Sequence, residues 1–190
     1  MNTNIICKIL KNNTQFLLLN KECFFKKYLF FYFIENIQKL FLNACLDGYI
    51  NFVKLLLQDP RVNPSDKDNK AIRLASKYGR IEVVKLLLQD TRVDPSDINN
   101  YAIRWASAMG YVEVVKLLLL DPRFDPSYLN IRYGFISACQ KGNIDMIKIL
   151  IQYVTFDQTI YDDGIYYAKM YQHISIVELL LYEKQKNIKR

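Results

Sequence analysis

Few side chains in this sequence of 190 residues could do chemistry. His173 is the only histidine, so a serine or cysteine nucleophile would have no second histidine to act with. Asp162 and Asp163 are adjacent carboxylates, and we interpret them as part of a loop before the last helix pair rather than as a general acid and base. The pattern predicts a protein that is not an enzyme.

The cysteines do not form a recognisable metal-binding or redox motif. Cys7, Cys23, Cys45 and Cys139 are too far apart for a zinc knuckle or a CxxC pair. A chain of this length can bury a core without disulfides, and Cys45 and Cys139 are placed like small core residues. We expect a reducing, cytoplasmic compartment and neither a metal nor another cofactor.

The positive charge is concentrated at the two ends of the chain. Of the formal net charge of +7, residues 1–41 contribute +4 and residues 183–190 contribute +3. Residues 42–182 carry sixteen basic and sixteen acidic side chains. Nucleic-acid-binding proteins usually concentrate Lys and Arg on one face of a folded module. The neutral body therefore predicts that nucleic acid is not the partner.

An aromatic segment near the N-terminus is too short to cross a membrane. Its longest apolar run, Tyr28–Ile34, has seven residues, whereas a spanning helix needs about 20. The absence of a long apolar stretch followed by a small-residue cleavage site also predicts no secretory signal.

A repeat of 31 or 32 residues organises the chain. Gly48, Gly79, Gly110 and Gly142 each stand four residues after an alanine and before an apolar stretch that ends in three aliphatic residues. Residues 168–181 repeat the pattern a fifth time, with Gln172 in the glycine position. Such self-similarity is typical of a solenoid of stacked units.

Each unit has the pattern of two short helices. In the second unit, Ile72 and Ala75 share one side of the first helix, and Gly79 ends that helix where a left-handed backbone is needed. The second helix, 81–89, contains three successive leucines and is apolar nearly all round, so neighbours must cover it on two sides. Stacking of units provides that cover.

These residues resemble ankyrin repeats over roughly residues 37–182. Residues 79–88 (GRIEVVKLLL) and 110–119 (GYVEVVKLLL) are similar to the ankyrin second-helix signature. The resemblance implies an all-α solenoid and a non-enzymatic function in binding a protein partner. Residues 59–65 (DPRVNPS) and 71–73 (AIR) further resemble ankyrin proteins of giant, mimivirus-like DNA viruses of amoebae, which implies a viral protein that engages a host factor in the host cytoplasm.

The loops depart from the ankyrin pattern. The period is two residues shorter than the family's 33. Asp68, Asn69, Asn99 and Asn100 stand at the loop tips, and these residue types tolerate a left-handed φ. We therefore expect short loops with little β-structure.

The first helices also depart from the family at their start. The Thr-Pro-Leu-His opening of ankyrin repeats is replaced here by residues 70–73 (KAIR) and 101–104 (YAIR). We predict that Arg73 and Arg104 replace the missing hydrogen bonds by reaching loop carbonyls or the carboxylates of Asp66 and Asp97.

The predicted organisation is an N-terminal helical cap, five helix-loop-helix units and a basic tail. Residues 1–36 show no repeat register, and their aromatic side chains are suited to cover the first unit. The units fall near residues 37–66, 67–97, 98–128, 129–160 and 161–182, and residues 183–190 form a solvated tail. We expect a monomer.

The resemblance implies that a partner docks on a concave face made of loop tips and first helices. Met and Tyr on such a face supply contact area at modest entropic cost. Trp105 is predicted to pack internally rather than to contact a ligand. The candidate partner-binding residues are Lys67, Asn69, Lys77, Tyr78, Ile98, Asn100, Met109, Gln140, Lys141, Met170 and Tyr171.

Two alternative functions stay open on the sequence alone. A ubiquitin-ligase adaptor would use the N-terminal segment, as some viral ankyrin proteins use an F-box-like segment, although no Leu-Pro opening is present. A membrane-surface protein would use residues 24–34, where Lys26 and Lys27 precede the aromatic run. His173 follows the position where ankyrin repeats often carry a structural His or Asn, which favours a structural role for it.

Overall fold

The computed structural model describes residues 37–124 and 128–188, and these residues form ten helices and no strand. The helices come in five antiparallel pairs, as the repeat predicts. They are α1 (Ile37–Asp47), α2 (Ile50–Leu56), α3 (Asp66–Lys77), α4 (Ile81–Leu88), α5 (Asp97–Met109), α6 (Val112–Leu119), α7 (Tyr128–Lys141), α8 (Ile144–Tyr153), α9 (Gln158–Met170) and α10 (Ile174–Ile188).

The turn inside each pair is made by the recurrent alanine and glycine. Gly79 has a φ of 67° and Gln172, in the fifth unit, has a φ of 62°. The backbone N–H of the residue after the turn bonds the alanine carbonyl, as in Arg80 N to Ala75 O at 2.8 Å and His173 N to Ala168 O at 2.8 Å. This closes the C-terminus of the first helix and confirms the predicted left-handed turn.

The core lies between successive pairs. The first helices pack in the order α1, α3, α5, α7 and α9, and the second helices pack in the order α2, α4, α6 and α8. Ile72 of α3 and Leu87 of α4 are fully buried, while Leu86 and Leu88 pack against the same core from its two sides. The predicted cover of the leucine triplet on two sides is confirmed.

An uncommon left-handed turn of three residues lies at the start of α3 and again at the start of α5. Lys67, Asp68 and Asn69 have φ values of 53°, 56° and 55°, and Ile98, Asn99 and Asn100 repeat this with 49°, 54° and 57°. A backbone bond from Asn69 N to Ser65 O at 3.0 Å closes the first turn. Each non-glycine residue in this conformation costs about 1–2 kcal/mol, so other contacts must offset the strain.

Asn69 supplies such contacts because its side chain joins two units. Its Oδ1 accepts from Asp94 N at 2.8 Å, and its Nδ2 donates to Asp97 Oδ2 at 2.8 Å. Gln38, 31 residues earlier, makes the equivalent pair of bonds with the N–H and carbonyl of Asn63 at 2.9 and 2.7 Å. The left-handed turn thus directs the Asn69 amide toward the next unit, where it forms these hydrogen bonds.

A second link between units comes from a recurrent Asp-x-Arg sequence. Asp59 with Arg61, Asp90 with Arg92, and Asp121 with Arg123 form local ion pairs at 2.7, 2.6 and 2.7 Å. Hydrogen bonds from these guanidinium groups hold the pKa of each aspartate below its ordinary value. Arg123 also reaches back to the preceding unit, donating to Val93 O at 2.6 Å and Leu88 O at 2.8 Å.

The last two units pack through aromatic rings instead. Phe135 of α7 lies 4.5 Å from Phe156 and 6.4 Å from Tyr161, measured between ring centroids, and all three side chains are buried. The structure also differs from the predicted boundary of the basic tail, because α10 continues to Ile188. Lys184 bonds Asp162, and Asn187 Nδ2 donates to Tyr161 Oη at 3.2 Å.

Candidate functional site

The residue before each turn forms an exposed column along the ends of the first helices. Tyr78, Met109, Lys141 and Tyr171 occupy this position in four successive units, and all four are exposed. Their place follows from the turn itself, since the residue before a left-handed glycine points away from the next helix. The repeat thus brings four large side chains to one side of the stack. This side consists of the exposed surface of the first helices and the loop tips, and it is called the first-helix face below.

The residue after each turn plays a structural part. A Cβ on Gly48, Gly79 or Gly142 would lie 2.7–2.8 Å from the side chain of Arg80, Tyr111 or His173 in the following unit. His173 Nε2 lies 3.0 Å from Gln140 O, and because a carbonyl only accepts, the imidazole donates there. The only histidine is thereby used in packing between units, as predicted.

An aromatic and cationic group occupies the centre of the first-helix face. Lys77 Nζ of α3 lies 4.5 Å from the centroid of the Trp105 ring of α5. The Trp105 ring lies 6.4 Å from Tyr133 of α7, which is 60% exposed. Trp105 itself is half-buried. The predicted packing of Trp105 is therefore confirmed only in part, because its ring packs near Tyr101 and Tyr133 and also reaches the surface.

Two arginines complete this group around Tyr101. Arg73 Cζ lies 5.0 Å and Arg104 Cζ 6.0 Å from the Tyr101 ring centroid, and Tyr101 lies 5.8 Å from Trp105. Cations over aromatic faces are held by the ring quadrupole. The six residues Arg73, Lys77, Tyr101, Arg104, Trp105 and Tyr133 are called the cation–aromatic cluster below.

The predicted roles of the two arginines are confirmed only in part. Arg73 Nη2 donates to the loop carbonyl of Lys67 at 2.9 Å. Arg104 makes no such bond in the described part of the chain, and its Nε has no acceptor. The Arg104 guanidinium group turns toward the Tyr101 ring instead. Arg104 therefore does not reproduce the hydrogen bond of Arg73, although the two arginines occupy equivalent positions in the repeat.

Most of the predicted partner-binding residues lie at the surface. Exposed side chains belong to Lys67, Tyr78, Ile98, Met109, Lys141, Met170 and Tyr171, and half-buried ones to Lys77 and Gln140. Lys141 Nζ also donates to Ala108 O of the preceding unit. Ile98 stands out because a β-branched residue with a φ of 49° is strained. The structure thus keeps these nine positions available for contact.

Asn69 and Asn100 must be removed from the candidate set. Their exposed fractions are 6% and 1%, and the Asn69 amide is used in the inter-unit bonds described above. The expectation that both residues face a partner is corrected for a simple reason: each is the last residue of a left-handed turn, which directs its side chain into the stack.

The sequence alone does not single out Arg73, Tyr101, Arg104 and Tyr133 as members of a surface cluster. A signal was present, since Arg73 and Lys77 are four residues apart and so share one side of a helix. Arg104 and Trp105 stand next to each other on the equivalent helix. Which of them lie over a ring depends on side-chain packing between helices, and the repeat pattern does not encode it.

Groups that could support other chemistry have structural explanations. Asp162 and Asp163 lie within α9, not in the predicted loop, and they pair with Lys184 and Arg132. Burial raises the pKa of the Cys139 thiol to about 12, which makes it a poor nucleophile. Within residues 37–124 and 128–188, no cluster of His, Cys, Asp or Glu has the arrangement of a metal site.

The fold and this surface define a helical-repeat solenoid of the kind that binds other macromolecules. The sequence model of the family described as ankyrin repeats (3 copies) matches residues 4–99, 40–130 and 105–190. The chain belongs to the ankyrin-repeat family, whose members are typically non-enzymatic protein-interaction scaffolds. No curated protein matches the sequence.

Two of the predictions concern residues outside the described part of the chain. The N-terminal cap, 1–36, and the aromatic segment, 24–34, are not among the described residues, although the first family match begins at residue 4. The capping, ligase-recruiting and membrane-surface interpretations of this segment stay predictions. None of the helices described is long and apolar enough to span a bilayer.

Proposed function

We propose that this protein is a non-enzymatic scaffold that binds a protein partner through the first-helix face. The observation that carries the proposal is the exposed column of Tyr78, Met109, Lys141 and Tyr171, which runs across four units beside the cation–aromatic cluster. Tyr, Trp and Met are enriched at protein interfaces because they supply large contact area with few rotatable bonds. A surface of this composition suits a protein partner.

Backbone strain at the loop tip supports the same face. Ile98 is exposed although it is apolar, and it adopts a left-handed φ that an asparagine would tolerate better. Strain at an exposed residue is expected where contact with a partner depends on that residue. Ile98 lies in the left-handed turn at the start of α5, next to the cluster on that helix.

The test compares a variant of this face with a variant of exposed residues elsewhere. The face variant combines Tyr78→Ser, Met109→Ser and Tyr171→Ser, and the control variant combines Leu120→Ser, Tyr153→Ser and Tyr182→Ser, three residues that are also exposed. Both should unfold near the wild-type midpoint, since exposed substitutions change stability by about 0.5 kcal/mol or less. Quantitative affinity purification should show partner recovery reduced at least about tenfold for the face variant only. Equal recovery by both variants would contradict the proposal.

For the setting of this interaction, we propose a viral protein that engages a host factor in the cytoplasm of an amoeba. The resemblance of residues 59–65 and 71–73 to ankyrin proteins of giant amoeba viruses supports this. Affinity purification from infected amoebae tests it directly. Recovery of host proteins that depends on the face residues is the expected result, whereas recovery of viral proteins alone would overturn the host assignment.

A further inference from the structure

Basic side chains predominate in the C-terminal parts of three first helices, although the repeat body as a whole is neutral and α3 and α5 begin with Asp66, Asp68 and Asp97. Residues 70–77, 101–109 and 131–141 contain no Asp or Glu. Their cations are Lys70, Arg73, Lys77, Arg104, Arg132 and Lys141. The second helices of two of these units mix both signs, with Lys85 2.9 Å from Glu82 and Lys116 2.7 Å from Glu113. The neutral count for residues 42–182 therefore does not describe how charge is distributed between the faces of the stack.

The cations of the cation–aromatic cluster have no carboxylate partner within the described residues. Lys77 lies over Trp105, while Arg73 and Arg104 lie within 6.0 Å of the same Tyr101 ring. Arg73 donates to one carbonyl, and the Nε atoms of both arginines are buried without an acceptor. Two guanidinium groups around one ring repel each other, so an anion bound between them would be stabilised by both.

We propose that the cation–aromatic cluster binds an acidic peptide segment of the partner, with carboxylates held by Arg73, Lys77 and Arg104. This rests on the proposed function and names the chemistry that the partner must present. A carboxylate accepts two parallel hydrogen bonds from a guanidinium group and pairs with an ammonium as well. Tyr133, 60% exposed beside Trp105, then contacts the apolar part of the same segment.

The geometry of the rings favours a peptide over a single-stranded nucleic acid. Bases stack on open aromatic faces, but Lys77 lies 4.5 Å from the Trp105 ring centroid and Arg73 lies 5.0 Å from that of Tyr101. Neighbouring rings are also tilted by 39° and 57° relative to each other. The rings therefore hold cations in place and do not form a stacking platform.

Trp105 provides the signal for the test, because it is the only tryptophan and it contacts Lys77. The probe is an end-blocked peptide of about eight glutamates, which spans about 26 Å when extended. Three adjacent first helices at about 8–10 Å spacing cover about 20 Å, so the peptide can reach all three cations. An end-blocked peptide of glutamines of the same length is the uncharged comparison.

The expected result is a saturable change in Trp105 fluorescence with a dissociation constant at least about tenfold lower for the glutamate peptide than for the glutamine peptide. The double variant Lys77→Gln/Arg104→Gln should weaken glutamate binding at least about tenfold. Because Trp105 fluorescence also changes when Lys77 is replaced, the affinity of the variant is measured with a fluorescent label on the peptide. The matched control Lys85→Gln/Lys116→Gln removes the same charge from the second helices and should bind like wild type.

Three results would overturn the proposal. They are equal affinity for the two peptides, equal loss of binding in the two double variants, and tighter binding of an oligothymidylate of about eight nucleotides than of the glutamate peptide. Circular dichroism establishes that both double variants are folded. If the glutamate peptide fails but Tyr78, Met109 and Tyr171 still govern partner recovery, only this inference falls and the proposed function stands.

Discussion

The second and third units and the last two units solve the same packing problem with different chemistry. In residues 59–123, here the arginine-linked region, each loop is tied to a neighbour by polar side chains such as Arg123 and Asn69. In residues 131–188, here the aromatic region, the loop after α8 is held by the buried rings of Phe135, Phe156 and Tyr161. The units share one helix pattern, yet their interfaces are stabilised by forces that respond differently to mutation, acid and backbone strain.

This difference shows that the repeat pattern specifies the helices, whereas the contacts made by the loops differ between units. Val154 and Phe156 are buried in the loop after α8. Val154 stands where the earlier units have the middle residue of Asp-x-Arg, and Phe156 stands where they have the buried Val62 and Val93. The polar contacts and the buried rings are both compatible with stacking, as long as the loop covers the ends of the second helices.

The largest effect should come from removing a ring of the aromatic region. Phe135→Ala deletes a fully buried side chain that contacts two other rings. It should lower the free energy of unfolding by about 3–5 kcal/mol, as measured by urea denaturation. Phe135→Leu should lower it by much less, since most of the volume is kept. Similar losses of unfolding free energy for the two variants would contradict the assignment of the Phe135→Ala effect to the cavity that it leaves.

The arginines should form a graded series of smaller effects. The exposed fractions of the Arg61, Arg92 and Arg123 side chains are 56%, 48% and 31%, and Arg123 makes the most bonds to the preceding unit. Both Arg123→Ala and Arg61→Ala leave a nearly buried aspartate unpaired, but of these two arginines only Arg123 also donates to carbonyls of the preceding unit. Arg123→Ala should therefore cost about 2–3 kcal/mol and Arg61→Ala about 1–2 kcal/mol. Chemical denaturation of the three variants measures the order, and a uniform cost would contradict the role of the inter-unit bonds.

Acid should weaken the arginine-linked region through its three paired aspartates. The pKa of Asp59, Asp90 and Asp121 is lowered in the folded protein, chiefly by hydrogen bonds from the arginines. Their stabilising contribution is therefore complete above the ordinary carboxyl pKa of about 3.9 and is lost as the pH falls below it. Unfolding measured between about pH 5 and pH 2 should show a shallower loss of stability in Asp121→Asn than in wild type, once the lower starting stability of the variant is subtracted. Parallel curves would rule out this linkage.

The smallest effect should be a gain in stability in the aromatic region. Gln172 has a φ of 62° where the other units have glycine. Gln172→Gly removes the left-handed strain and should raise the free energy of unfolding by about 0.5–1 kcal/mol. Gly79→Ala is the converse, since its Cβ would lie 2.7 Å from the Tyr111 ring. A loss of stability in Gln172→Gly would show that the glutamine side chain makes a net contribution.

The helices and turns could be predicted because their signals are local and recur. The alanine, the glycine four residues later and the aliphatic triplet fix each helix pair, and Gln172 could be placed by register alone. Asp68 and Asn69 suggested a left-handed turn from residue type. Lys67 and Ile98 gave no such signal, since their conformation is imposed by the closing bond of the turn and by the buried asparagine that ends it.

The cation–aromatic cluster could not be predicted, because it depends on contacts between residues 28 positions apart in the sequence. Lys77 and Trp105 occupy different positions within the repeat, and only the packing of α3 against α5 brings them together. The burial of Asn69 was missed for the same reason, as its partners Asp94 and Asp97 belong to the next unit. The helical end of the chain was missed because Lys184 and Asn187 look like solvated tail residues until α9 is packed beside them.

The hydrogen bonds from cationic side chains to the carbonyls of other units share one direction. Within the described residues, every Arg, Lys or His that reaches a backbone carbonyl of another unit donates toward the N-terminus, as Arg80 does to Leu46 O at 2.7 Å and His173 to Gln140 O at 3.0 Å. Detaching the last unit therefore carries its donor away into water and uncovers only a carbonyl. Detaching an early unit instead strands a cation over an empty position. We therefore expect the stack to fray more readily at its C-terminal end, away from Tyr78 and Trp105.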